Sequence, residues 1–293
     1  MLLVALVILW GVNWPLMKLG IADIPPFWFA SLRLLLGAAS LFLVLGLLGR
    51  LKLPHRADLP IVLSVGVLQM GFCLGAINTA LLYVPSGRSA VLAYTTPLWV
   101  APAAAIFLGE RLTWRKLAGL ALGLGGLMLL FEPASFDWSD GNALLGNGLL
   151  LFTAAVWALV IVHIRGHRWR GTAFELIPWQ LLAGGLPLAL VALWHDGWES
   201  IRWTPASLAI LAYNGPVASG FCYWAVVEVT RRLPALSASL ALLAVPVVGL
   251  AGGALALGEA LHAALLAGFA LILAGLALVE TGRARPDPTH APD

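Results

Sequence analysis

The feature that most constrains this chain is a succession of apolar runs, each about as long as a bilayer is thick. A hydrocarbon core of about 30 Å takes roughly 20 helical residues to cross. Runs of that order lie at about 2–20, 27–48, 60–83, 86–108, 114–131, 143–165, 173–194, 206–230, 235–257 and 262–280. Turn-forming stretches separate them, among them Asp23–Pro26, Pro54–Asp58, Pro85–Arg88, Glu110–Trp114 and Glu132–Asn142. The runs do not alternate in polarity and are about twice as long as barrel strands, which leaves helices. Only 11% of the 293 residues are charged, against roughly 25% in soluble domains, so a soluble fold or a disordered chain is excluded. The expected fold is an all-α polytopic membrane protein with ten transmembrane helices, spans 1 to 10.

Met1–Gly20 lacks the basic start of a signal peptide. Asn13, Pro15 and Lys18 stand where a small-residue cleavage site belongs, so the segment reads as a retained first span. Lys and Arg alternate from side to side. The loops after spans 2, 4, 6 and 8 and the tail hold 13 of the 17, from Arg50, Lys52 and Arg56 to Arg283 and Arg285. By the positive-inside rule both termini are expected in the cytoplasm. A net charge of +3 is too small to point to nucleic acid. Two cysteines fit neither a disulfide framework nor a zinc spacing, and the six histidines form no ligand pattern. No metal and no cofactor is expected, and the loops are too short for a soluble active site, so the chain does not read as an enzyme.

The sequence repeats itself. At an offset of 149, Gly71-Phe72-Cys73 recurs as Gly220-Phe221-Cys222, and 14 of 31 positions agree between Pro97–Leu127 and Pro246–Leu276. At an offset of 147, Trp10 falls on Trp157, Lys18 on Arg165 and Gly37 on Gly184. Five spans per half is an odd number, so the second half enters the membrane upside down. Inverted repeats are the mark of alternating-access transporters, with the site near the midplane. The halves are read as 1–131 (spans 1–5) and 143–280 (spans 6–10), joined by a linker loop at 132–142 and followed by a cytoplasmic tail at 281–293.

Gly109-Glu110-Arg-Leu-Thr-Trp-Arg-Lys-Leu-Ala-Gly119, its partner Gly258-Glu259-Ala-Leu-His-Ala-Ala-Leu-Leu-Ala-Gly268, and Pro26-Phe-Trp-Phe-Ala-Ser-Leu-Arg33 resemble motifs of EamA repeats. The resemblance covers about residues 1–280 and is to the ten-span branch of the drug/metabolite transporter superfamily. The segment Trp157 to Leu182 is similar to bacterial amino-acid exporters of the YddG type. The resemblance implies a multi-pass protein of the bacterial inner membrane that exports amino acids.

Candidate binding residues come from polar and aromatic groups deep in the spans. Trp10, Asn13, Trp14 and Met17 share one face of span 1 by their i, i+3, i+4, i+7 spacing. Of thirteen tryptophans, Trp10, Trp14, Trp99, Trp157, Trp179 and Trp224 lie deep, and as a group they read as a cavity wall. Trp28 and six others read as the interfacial belt. Span 4 carries Tyr94, Thr95 and Trp99 around Pro97, and Pro246 stands at the matching place in span 9. Paired interruptions point to a binding site, a plain kink being the alternative. Asn78, Tyr83, Tyr213, Asn214, Tyr223 and Trp224 complete the candidate set, with interhelical hydrogen bonding as their bland role. Arg33, about two turns into span 2, reads as snorkelling or structural, with a substrate carboxylate as the alternative. Glu228 is expected to pair with Arg231 and Arg232. No acid lies at the centre of a span, so proton-coupled export of a cation lacks its chemical handle.

The expected function is facilitative export of amino acids, aromatic and other bulky uncharged ones above all, by a protein sufficient as a monomer in the lipid bilayer. The cavity is expected between spans 1, 3, 4, 6, 8 and 9. A proton-coupled exporter of drugs or cationic metabolites is the alternative, since aromatic walls also attract cations.

Overall fold

The computed structural model describes residues 1–131, 139–249 and 263–281. Glu259, Gly258, most of the linker loop and the tail beyond Thr281 lie outside the described residues.

Within the described residues the apolar runs are helices. They are Leu2–Gly20, Pro26–Leu47, Arg56–Tyr83, Ser86–Leu108, Trp114–Phe131, Gly141–Gly166, Ala173–His195, 205–232, Ala235–Gly249 and Ala263–Thr281. Six of these are by themselves long and apolar enough to cross a membrane. Local chemistry sets their ends. Pro26 and Pro205 open spans 2 and 8, where the missing N–H costs nothing. Thr172 and Glu175 form a reciprocal capping box at the start of span 7. Gly109 ends span 4 in the left-handed region at φ 64°, which a residue without Cβ adopts freely.

The inverted repeat is visible in the packing. Span 2 lies on span 8 and span 7 lies on span 3. A Cβ on Gly37 would stand 2.8 Å from the Gly215 carbonyl oxygen and 3.1 Å from the Gly220 nitrogen. A Cβ on Gly184 would overlap the Gly66 oxygen and stand 2.9 Å from the Gly71 nitrogen. These are the same contacts, since Gly37 matches Gly184 and Gly66 and Gly71 match Gly215 and Gly220. Spans 5 and 10 cross in the same way, Gly119 against Gly275 and Gly126 against Gly268. Small residues let helix backbones approach directly, and this close packing takes the place of the hydrophobic drive that lipid cannot supply.

Two features interrupt the helices at matching places. Ser64–Phe72 and Asn214–Phe221 are wound as π-helix, each holding a glycine pair five residues apart. Longer π segments are rare and mark functional regions. The Pro97 and Pro246 expectation also has a structural counterpart. Span 4 breaks into turns at Tyr94 and Thr95, three and two residues before Pro97, and span 9 does so at Leu242 and Leu243, four and three residues before Pro246.

Candidate substrate cavity

An internal cavity lies between the halves. Its walls come from spans 1, 3, 4, 6, 8 and 9, as expected, and also from span 2. Its volume is about 70 Å³. That is room for a few waters.

The wall is aromatic. Trp10 meets Tyr223 edge-on at 5.3 Å and Trp157 at 6.0 Å, while Trp157 and Tyr223 stack with centroids 6.1 Å apart. Trp14 stands edge-on to Tyr94 at 6.3 Å. The Trp10 indole N–H donates to the Ala218 carbonyl at 2.9 Å, so the π segment of span 8 orients that ring. Trp10 and Trp157 are repeat mates, and the pseudo-twofold thus brings one indole from each half to the same cavity.

Of the sequence candidates, Trp10, Asn13, Trp14, Tyr94, Trp157 and Tyr223 line the cavity. The others stand elsewhere. Asn78 donates to the Pro26 carbonyl at 3.2 Å and ties span 3 to the head of span 2. Tyr213 donates to the Leu9 carbonyl at 2.7 Å, binding span 8 to span 1. Asn214 donates to Ile210 within its own span, and Thr95 donates to Leu92 at 2.7 Å, stabilising the turn in span 4. Tyr83 and Trp99 face outward, and Trp224 packs on Phe174 and Phe221. Trp179, grouped with the deep tryptophans, donates to the Lys52 carbonyl at a span end and packs on Phe42. Trp28, assigned to the belt, is instead buried, donating to the Gly197 carbonyl at 2.9 Å.

The cavity also holds residues outside the candidate set: Met17, Arg33, Thr96, Thr153 and Ser239. The three hydroxyls donate to carbonyls of their own helices, Thr96 to Ala93, Thr153 to Leu149 and Ser239 to Leu236. Arg33 corrects the snorkelling expectation. Its side chain is 1% exposed, turned inward, and its Nε donates to the Ser219 hydroxyl at 2.9 Å. A lone cation inside an apolar run was the sequence signal for it. Two buried polar atoms of the wall have no hydrogen-bond partner, Arg33 Nη1 and Asn13 Oδ1.

Among the described residues no acid lines the cavity. Glu110 pairs with Lys116 at 3.4 Å and accepts from the Ala235 amide at 2.9 Å, capping the start of span 9. Glu228 pairs with Arg231 and Arg232, as its spacing predicts. Asp58 is fully buried at the head of span 3, where its oxygens accept from the amides of Arg170 and Gly171 and contact His167 Nε2 at 3.1 Å.

Comparison with known proteins agrees with this architecture. The chain is 30% identical over 270 residues to an uncharacterized transporter of Bacillus subtilis, covering 92% of each. It is 31% identical over 282 residues to a "probable amino-acid metabolite efflux pump" of Escherichia coli, covering 91% of this chain and 89% of that one. A "probable terminal-alkyne amino-acid exporter" of Streptantibioticus cattleyicolor is 26% identical over 92% of this chain. A solved crystal structure at 24% identity superposes with a TM-score of 0.76 over 96% of this chain and 95% of the other, which shows the shared fold. The EamA-like transporter family matches residues 1–132 and 144–281, one match for each five-span half. With both halves matched and the repeat written into its glycine contacts, the chain belongs to the EamA-like transporter family and is a multi-pass membrane transporter of small molecules rather than an enzyme.

Proposed function

We propose that this transporter exports amino acids, with a preference for aromatic and other bulky uncharged side chains, by facilitative alternating access. The observation that carries the reading is the cavity wall. Trp10, Trp157 and Tyr223 present ring edges and faces to one space between the inverted halves, with no acid among the described lining residues. Aromatic rings pack on a bulky apolar side chain, and an acid-free cavity has no group to carry a proton across the membrane. Relatives described as a "probable amino-acid metabolite efflux pump" and a "probable terminal-alkyne amino-acid exporter" support the substrate class. The buried guanidinium in the wall weighs against a cationic drug.

The transporting unit in this reading is one chain, its halves 1–131 and 143–280 rocking about the cavity, with both termini in the cytoplasm of a bacterial inner membrane. Flux into proteoliposomes tests it, using labelled tryptophan, methionine, threonine and glutamate and a quaternary ammonium dye, with and without a pH gradient. Uptake of tryptophan and methionine that ignores the gradient is the expected result. Movement of the dye alone, driven only by protons, overturns the proposal.

A further inference from the structure

Among the described residues, Arg33 is a cation without a counterion in an apolar cavity wall. It is 1% exposed, and only its Nε has an assigned protein partner, the Ser219 hydroxyl at 2.9 Å. Its Nη1 is enclosed and has no hydrogen-bond partner. Ser219, which holds it, and Tyr223, which shares the cavity wall, are both neutral side chains. Each described acid is held elsewhere or lies at the end of a span. A buried charge is costly unless paired, and a guanidinium fork matches a carboxylate in two parallel hydrogen bonds.

The repeat shows that the architecture does not require this charge. Arg33 falls on Gln180 in span 7 at the offset of 147, and Ser219 falls on Met70 in span 3 at the offset of 149. Gln180 is equally buried, and its neutral amide donates to the Ile61 carbonyl of span 3 at 3.5 Å. The cation has been placed in one half alone, on the side that faces the cavity. The other orphan in the wall is an acceptor, the Asn13 Oδ1, on the helix that also carries Trp10 and Trp14. A zwitterion supplies what both lack: a carboxylate for the guanidinium and an ammonium for the amide oxygen and the ring faces.

We infer that Arg33 is the carboxylate-binding residue of the cavity, fixed in position by Ser219, with Asn13 accepting from the substrate ammonium. This deepens the amino-acid reading and rests on it for the ammonium half only. An aromatic carboxylate without an ammonium should still bind at Arg33.

The test uses the full chain and three ligands that share one ring system: L-tryptophan, L-tryptophanamide, which lacks the carboxylate, and indole-3-acetate, which lacks the ammonium. Binding is measured by calorimetry in detergent and flux in proteoliposomes. Wild type should bind tryptophan about tenfold or more tighter than the amide. Arg33→Gln should weaken tryptophan and indole-3-acetate about tenfold to hundredfold while leaving the amide unchanged. Arg33→Lys, which keeps the charge and loses the fork, should fall between them. Asn13→Leu should weaken tryptophan and spare indole-3-acetate.

If Arg33→Gln does not fold, Arg33→Lys and the wild-type ratio of acid to amide still decide. An unchanged acid-to-amide ratio in the Arg33 variants, or no preference for the acid in wild type, overturns the inference. The two proposals fail separately. Tryptophan flux that survives Arg33→Gln with the same ratio removes the Arg33 site and leaves amino-acid export standing. Indole-3-acetate binding that depends on Arg33, with no amino acid transported, removes the export reading and leaves the anion site.

Discussion

Gly37 of span 2 lies so close to Gly215 of span 8 that a methyl group on it would stand 2.8 Å from the Gly215 carbonyl oxygen. Gly184 repeats the relationship against Gly66 in the other half. The obstacle in each case is backbone, which cannot swing aside as a side chain can. Gly37→Ala and Gly184→Ala are therefore expected to destabilise the protein by about 1–3 kcal/mol each. Gly46, in the same helix as Gly37, has nothing within 4 Å, and Gly46→Ala should be neutral or slightly stabilising. Thermal unfolding in detergent checks all three, and a Gly37→Ala protein that melts with wild type would contradict the packing.

The same glycines show what the sequence could and could not reveal. The spans were legible because hydropathy reports transfer into lipid, which needs no knowledge of partners. The breaks near Pro97 and Pro246 were legible too, since a missing N–H is a local property. Gly71-Phe72-Cys73 and its repeat stood out as identities, but the π winding around them did not. That winding goes with Gly66 and Gly71 docking on span 7, a tertiary event. Site residues were half legible for a similar reason. Helical spacing puts Trp10, Asn13 and Trp14 on one face, yet an all-apolar helix does not say which face meets protein. Trp99 shows the cost, for it is as deep as the others in sequence and yet 43% exposed.

That contrast gives a second prediction. Trp157→Ala and Tyr223→Ala remove rings that touch each other and Trp10 across the cavity. Each should weaken the apparent affinity for tryptophan about tenfold, from lost ring contact and a loosened wall. Trp99→Ala should leave it unchanged. Concentration dependence of tryptophan uptake in proteoliposomes reads the difference, and equal effects at Trp99 and Trp157 would place the site elsewhere.

Glu110 and Glu228 are the acids a proton-coupled mechanism would first turn to, and the structure gives both of them structural tasks. Glu110 pairs with Lys116 and caps span 9 through the Ala235 amide, and Glu228 holds Arg231 and Arg232. Glu110→Gln should cost about 1 kcal/mol of stability through the weakened cap. Neither Glu110→Gln nor Glu228→Gln should alter the response of amino-acid flux to an imposed pH gradient. A gradient response that appears in wild type and vanishes in one of these variants would assign that acid to coupling.

Asp58 is the fastener of the loop between spans 6 and 7. It is fully buried, and its two oxygens take the Arg170 amide at 3.0 Å, the Gly171 amide at 2.8 Å and His167 Nε2 at 3.1 Å. Asp58→Asn keeps the shape but replaces one acceptor by a donor that faces backbone N–H groups. Leaving a buried donor unpaired and losing charge-assisted bonds should cost about 2–3 kcal/mol. The loss is local, so it should appear first as opening of that loop, whose Arg168 and Arg170 side chains are already exposed. Trypsin should cut there faster in Asp58→Asn than in wild type, and only when added to the cytoplasmic side in sealed vesicles. Cleavage at that loop from the opposite side would invert the proposed topology, and equal rates in the two proteins would show that Asp58 does not hold the loop.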